Sequence, residues 1–230
     1  MESEYKFSRE KIHLVPNGID EALIEKRVIP HDENEKVTIT FIGRMEWYKG
    51  VQDLISAADS LRRSDRYKRN NDQEHTALPD FEVKIMGRAG NWTEKLKEQI
   101  EKLKADSFIE LMFSPDDEIK EKILYEESQI SILPSKWEGT GIVLLEAMAK
   151  GNAVVSTRQN DALALIIEEG VTGYSYDFGD IDALVEILYK LLSNYELRQS
   201  MRKENLKRAK NFTWEGVMPA YLEMIGKVLV

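Results

Sequence analysis

Two stretches of this chain combine residue types that can hold a charged, hydroxyl-rich ligand. In Gly43-Arg44-Met45-Glu46-Trp47-Tyr48-Lys49-Gly50, a guanidinium and an ammonium stand five residues apart. Arg grips two phosphate oxygens at once, and Lys acts as a mobile point charge. Beside the free amides of a helix start, such a pair suits a diphosphate without a metal. The second stretch runs from Pro134 and Ser135 through Glu138-Gly139-Thr140-Gly141-Ile142-Val143 to Glu146. Its glycines let the backbone approach a ligand, and a helix beginning there aims N–H groups at an anion. Glu138 and Glu146 accept hydrogen bonds, for which the paired hydroxyls of a sugar or ribose are natural donors. Taken singly, these are equally surface cations, a capping Glu and a solvated helical Glu. Paired carboxylates also raise a glycosidase reading, which needs carboxyls about 5–9.5 Å apart. Eight helical residues span about 12 Å, and the cationic loop favours a phosphorylated ligand over a plain oligosaccharide.

Other chemistries find less support. His13, His31 and His75 are scattered, with no metal-ligand spacing, so solvated or internally satisfied imidazoles are expected. The absence of cysteine excludes disulfides, thiolate metal sites and Cys nucleophiles. The GxGxxG fingerprint fails because Leu144 takes the last glycine position, and no GxxxxGK[ST] phosphate loop occurs. A net charge of −9, from 32 Lys+Arg and 41 Asp+Glu, argues against nucleic acid as the main partner. Of the 230 residues, 42% are hydrophobic, enough for a globular core. No apolar run reaches the roughly 18 residues of a membrane span, and the first residues lack a signal-peptide core. The expectation is a soluble protein of a reducing, cytoplasmic compartment.

Positioning these loops requires strands that end where they begin. β-rich runs at Lys36–Gly43, Phe81–Gly87, Phe108–Phe113, Gln129–Leu133 and Ala153–Ser156, with a short sixth at Tyr174–Tyr176, alternate with helical periodicity. Helices are expected over 49–63, 92–103, 116–125, 141–150 and 162–169, then 180–193, 195–210 and 213–228. This alternation predicts an α/β, doubly wound Rossmann-like parallel sheet with ligands at the carboxyl ends of its strands. Residues 1–10 read as a charged lead-in, 11–230 as one domain and 62–79 as a polar surface loop. The stripe Trp214, Val217, Tyr221, Met224 and Val228 packs on this domain or docks another.

The order of these pieces resembles the C-terminal, donor-binding domain of family 4 (group 1) retaining glycosyltransferases of the GT-B fold. The matching elements are Ile12-His13-Leu14-Val15-Pro16-Asn17-Gly18-Ile19-Asp20, then Gly43-Arg44 with Lys49-Gly50. Next come Pro134-Ser135 and Glu138 to Gly151 with the family's Glu-x7-Glu spacing, Val171-Thr172-Gly173, and Phe212-Thr213-Trp214. The resemblance implies that Arg44 and Lys49 bind the donor diphosphate and steady the leaving nucleotide. It implies that Glu138 contacts the transferred sugar and Glu146 the ribose. Gly43, Gly87, Gly139, Thr140, Gly141, Ile142 and Val143 would line the site, with Phe113 and Ser114 beside the base. The substrate would be a UDP-, GDP- or ADP-sugar, transferred with retention and without an essential metal or other cofactor, as in polysaccharide or glycolipid synthesis.

Three departures from the family pattern stand out. Thr140 replaces the usual Phe. Ala162, Ala164 and Leu165 replace the Gly, Pro and Glu expected after Thr157. The family's N-terminal acceptor domain is expected to be absent from this chain, leaving it inactive alone and linked to the inner membrane only indirectly, through that absent half. Rival readings are a non-catalytic nucleotide-sugar-binding or regulatory module, one half of a split enzyme, a dehydrogenase-like dinucleotide domain, and a sugar phosphorylase or sucrose-type synthase.

Overall fold

A computed structural model describes residues 15–25, 31–64, 78–159 and 166–228. Six strands form one fully parallel sheet: β1 (Val37–Ile42), β2 (Phe81–Gly87), β3 (Ile109–Phe113), β4 (Ser128–Leu133), β5 (Ala153–Thr157) and β6 (Gly173–Tyr176). Their order is β3-β2-β1-β4-β5-β6. The chain builds outward from β1 in one direction, then returns to lay β4 on the other side of β1. Right-handed crossovers therefore place successive helices on opposite faces of the two halves.

The helices are α1 (Glu21–Glu25), α2 (Val51–Arg63), α3 (Thr93–Leu103), α4 (Asp117–Lys122), α5 (Ile142–Ala149), α6 (Ile181–Ser193), α7 (Tyr195–Ala209) and α8 (Trp214–Val228). α2 packs against α3 and α6, whereas α7 packs against α5 and β5. With both faces covered, the central strands are buried throughout: every residue of β4 is buried, as are Val37, Thr38, Ile39, Thr40 and Phe41 of β1. The polar residues among them are satisfied internally, since the Thr40 hydroxyl bonds those of Ser128 and Ser131, each at 2.8 Å.

Several local expectations are corrected. Lys49 lies not in α2 but in a preceding 3₁₀ turn, Trp47–Lys49, which Gly50 separates from the helix. Arg62 and Arg63 belong to α2 rather than to a surface loop. Arg62 pairs with Asp80 and lies over the Phe81 and Phe108 rings, and Leu78 is buried in the core. Positions 65–77 lie outside the described residues, as do the 1–10 lead-in, Ile12-His13-Leu14 and the departures at Ala162, Ala164 and Leu165. The described end of the expected 162–169 helix, Ile166 to Glu169, is not helical. There Thr172 draws Glu168 into local hydrogen bonds, and Glu169 bridges to Gly173. α4 passes into a π turn, Ile123–Glu127, and the short α1 escaped sequence reading because it holds less than two turns of periodicity.

Candidate functional site

In an open parallel sheet the ligand crevice forms where the winding reverses, outside the strand carboxyl ends. Here that point lies between β1 and β4. The loop after β1 carries Arg44 and Lys49, and the loop after β4 carries Glu138. The Lys49 ammonium pairs with the Glu138 carboxylate across 89 residues of sequence. Both side chains are nearly dry, 14% and 12% exposed, and Ser135 Oγ donates to the same carboxylate oxygen at 2.8 Å. The Lys136 amide bonds the Tyr48 carbonyl at 2.7 Å, fixing the two loops against each other. Arg44 is exposed, and its guanidinium donates to the Tyr48 hydroxyl at 2.9 Å.

The glycines set how closely these loops approach. Gly50 has φ +70°, and a Cβ there would sit 2.0 Å from the Pro134 carbonyl oxygen. Gly87 has φ +150°, and its Cβ would sit 1.8 Å from the Gly43 oxygen. Any side chain at either position would push the strand-end loops apart.

Gly141, in the left-handed region, caps α5 without a side-chain bond, so the amides of Ile142 and Val143 stand at a helix start. Glu146, one turn further on, is partly buried. Among the described residues nothing hydrogen-bonds its carboxylate. Burial raises its pKa, offset in part by the charge of Lys120. Gly139 and Ile142 are exposed, and Thr140 and Val143 are partly so. Phe113 and Ser114 end β3, two strands from β1 and so about 10 Å away at the usual strand spacing. Phe113 is exposed beneath the Lys97 ammonium, and Ser114 holds a positive φ of 47° while its amide bonds the Gly87 carbonyl. The expected site residues thus share one rim, with Lys49 and Glu138 in direct contact and Phe113 and Ser114 at its far end.

Asn17 and Ser135 stand in the family motifs and Tyr48 in the cationic loop, but nothing in the sequence assigns any of them the role of bracing this rim. Asn17 donates to the Thr140 hydroxyl at 3.0 Å, and its own carbonyl faces the Tyr221 hydroxyl at 3.5 Å. The segment around it is held by a parallel bridge between Ile19 and Thr213. The two motifs at opposite ends of the chain are therefore neighbours. Tyr48 and Ser135 likewise gave no signal beyond lying beside the charged residues they orient.

His31 is a satisfied histidine, bonded to Glu35 and Gln129; burial, then the Arg202 charge, lowers its pKa. His13 and His75 lie outside the described residues. Among the described residues no cluster of three or more His, Cys, Asp or Glu could hold a metal ion, and no helix is long and apolar enough to cross a membrane. A groove of about 600 Å³ opens between α3 and β3, over Ile100, Ile109 and Leu111. It follows the free edge of the sheet rather than the strand-end loops, so its size does not make it the site.

A parallel sheet of this order with charged loops at its switch point defines an α/β protein of Rossmann-like build. The family model described as "Glycosyl transferases group 1" matches residues 23–208, and the chain belongs to that family. D-inositol 3-phosphate glycosyltransferase of Corynebacterium urealyticum is 28% identical over 193 residues, covering 81% of this chain and 42% of that protein. A glycosyltransferase from Rickettsia africae superposes with a TM-score of 0.79 at 21% identity, over 99% of this chain and 60% of that one. Anabaena Alr3699/HepE, solved in complex with UDP and glucose, gives 0.74 at 18%, over 94% and 57%. These likenesses show the fold to be that of GT-B glycosyltransferases. The chain spans about half the length of the curated relatives it matches.

Proposed function

We propose that this chain is the C-terminal, donor-binding half of a family 4 retaining glycosyltransferase and binds a nucleotide-diphosphate sugar. The observation that carries the reading is the Lys49–Glu138 contact at the switch point. It puts a diphosphate-binding cation and a hydroxyl-accepting carboxylate in one place. Arg44 and Lys49 take the diphosphate and offset the charge that develops on it as the bond to the sugar breaks. Glu138 then turns to the hydroxyls of the sugar. The amides at Ile142 and Val143 meet the sugar and phosphates, and Glu146, without a hydrogen-bond partner among the described residues, accepts from the ribose. Gly43, Gly87, Phe113 and Ser114 complete the wall toward the base. UDP is the first nucleotide to test, because the similar Anabaena protein was solved with it.

The acceptor side belongs to a separate N-terminal domain. Two findings support this: the chain spans about half of its relatives, and α8 exposes Met218, Leu222 and Ile225. Contact with a membrane then runs through that domain, the transfer needs no metal, and this chain alone transfers little sugar. The products fit polysaccharide or glycolipid synthesis in the cytoplasm. Calorimetry with UDP, GDP and ADP tests the reading. Saturable binding of one of them is expected, and no binding of any by a demonstrably folded sample overturns it.

A further inference from the structure

The loop between β4 and α5 is held unevenly. At one end Glu138 is engaged by Lys49 and Ser135. At the other, Gly141 caps α5 and its carbonyl accepts from the Leu144 amide at 2.8 Å. Between them stand Gly139 and Thr140. A Cβ on Gly139 would meet no atom within 4 Å, so the chain is open there. Among the described residues, neither Gly139 nor Thr140 makes a backbone hydrogen bond. A glycine step of this kind samples many conformations, and holding it in one costs conformational entropy. The single hydrogen bond that reaches it comes from 123 positions away, where Asn17 Nδ2 donates to Thr140 Oγ1 at 3.0 Å. Asn17 is itself anchored. Close by, the Ile19 amide donates to the Phe212 carbonyl at 2.8 Å, and the Ile19 carbonyl accepts from Trp214 at 3.2 Å. Gly18 lies so near Trp214 that a Cβ would come within 2.6 Å of its ring. The Phe usual in the family at position 140 has no oxygen to accept from Asn17, so the tie depends on the Thr of this chain.

We propose that Asn17 is a positioning residue for the donor: through the Thr140 hydroxyl it holds the Gly139–Thr140 step in the shape that receives the sugar of the nucleotide sugar. This role rests on the donor reading above, which gives Asn17 no part. Asn17 acts through Thr140 rather than on the substrate. It removes the freedom of the loop beforehand, so that the sugar does not have to order it on arrival. The step follows Glu138 directly, the residue that turns to the sugar hydroxyls. The amides of Ile142 and Val143 are set instead by the start of α5, and Arg44 and Lys49 stand on the other loop. The tie therefore bears on the sugar more than on the diphosphate.

The test is a double-mutant cycle of Asn17→Ala and Thr140→Val in the whole chain, with Thr140→Ser as the variant that keeps the hydroxyl. Calorimetry compares the nucleotide that binds among UDP, GDP and ADP with its hexose conjugates, such as UDP-glucose or GDP-mannose. NMR relaxation reads the order of the backbone amides at 139 and 140, and the rest of the spectrum shows that each variant is folded. Asn17→Ala should weaken binding of the conjugate about three- to tenfold and of the bare nucleotide by less than about twofold. Thr140→Val should reproduce the loss for the conjugate, and Thr140→Ser should bind it as the unaltered chain does. The double variant should be no weaker than either single one. The amides at 139 and 140 should loosen in Asn17→Ala and Thr140→Val. Unchanged amide order, equal losses for nucleotide and conjugate, additive losses in the double variant, or a bound nucleotide none of whose conjugates binds overturns the proposal and leaves the nucleotide site intact. Loosened amides with no binding of any nucleotide defeat the donor reading, and with it any role for the tie beyond bracing the loop.

Discussion

The contact between Lys49 and Glu138 makes a prediction that runs against ordinary intuition about a binding site: removing the carboxylate should strengthen the binding of a bare nucleoside diphosphate. In the ligand-free protein the ammonium is already engaged, and a diphosphate must take it from Glu138 while meeting a second negative charge. At an effective dielectric constant of about 20, unit charges 4 Å apart interact by about 4 kcal/mol before solvation is counted. A charged hydrogen bond contributes a net of about 1.5–3 kcal/mol. Glu138→Gln keeps a carbonyl that accepts from Lys49 and Ser135, so only the charged part of that net term is lost. A gain of about 0.7–1.4 kcal/mol in diphosphate affinity follows, which is roughly three- to tenfold. The same change leaves Lys49 poorly compensated, so the free protein should melt lower by an amount worth about 1–2 kcal/mol. Calorimetry with UDP, GDP and ADP reads the first effect and thermal denaturation the second. For the nucleotide that binds, the gain should shrink or reverse when the intact nucleotide sugar replaces the diphosphate, because Gln is a poorer acceptor for the sugar hydroxyls. Unchanged or weaker diphosphate binding in a folded Glu138→Gln protein would refute the reasoning.

Arg44→Ala should weaken diphosphate binding by about 1.5–3 kcal/mol and leave the melting temperature nearly unchanged, because Arg44 is exposed and bonds only Tyr48 among the described residues; calorimetry and a melt on the same sample check both halves. Gly50→Ala should cost at least about 2 kcal/mol of stability, since it combines a left-handed backbone with a Cβ 2.0 Å from the Pro134 oxygen; denaturant unfolding measures it. Asp53 is buried at the start of α2, with one carboxylate oxygen lacking a hydrogen bond among the described residues. Burial raises its pKa against the opposing Gly179 amide. The penalty exists only while Asp53 is ionised, so stability falls as pH rises from the ordinary carboxylate range through the raised pKa. Asp53→Asn should therefore stabilise by roughly 1 kcal/mol at neutral pH, with the gain fading toward pH ~4. A gain that grows on acidification would contradict the assignment.

The strands were the most legible part of the sequence. Phe81–Gly87 occupies the expected residues, and the others differ by a residue or so at their ends. Short apolar runs closed by Gly or Pro fix where a buried parallel strand can lie, because both of its faces must be apolar or internally bonded. Legibility failed where tertiary contacts override local pattern. Arg62 looks like loop by polarity but lies over two Phe rings, and Leu78 is a lone apolar residue that finds the core. Ile166–Glu169 has helical composition but spends its hydrogen bonds on Thr172 and Gly173. For the site, residue types told which side chains could meet a diphosphate or a hydroxyl. Asn17 and Ser135 lie in the family motifs and Tyr48 in the cationic loop, but nothing in their spacing says that they brace these side chains.

The sequence by itself determined the α/β alternation, the chemistry available at each strand end and the order of motifs that marks the family. These follow from local periodicity and residue type, which need no knowledge of distant partners. Only the tertiary structure decided that β1 and β4 are neighbours, and therefore that Lys49 and Glu138 touch. Strand order is set by how the helices cover the two faces, and no local pattern records it. An aromatic cluster on the site rim arises in the same way: Trp47, Trp137 and Phe178 are scattered along the sequence, and the winding of the sheet places their rings together around Lys136.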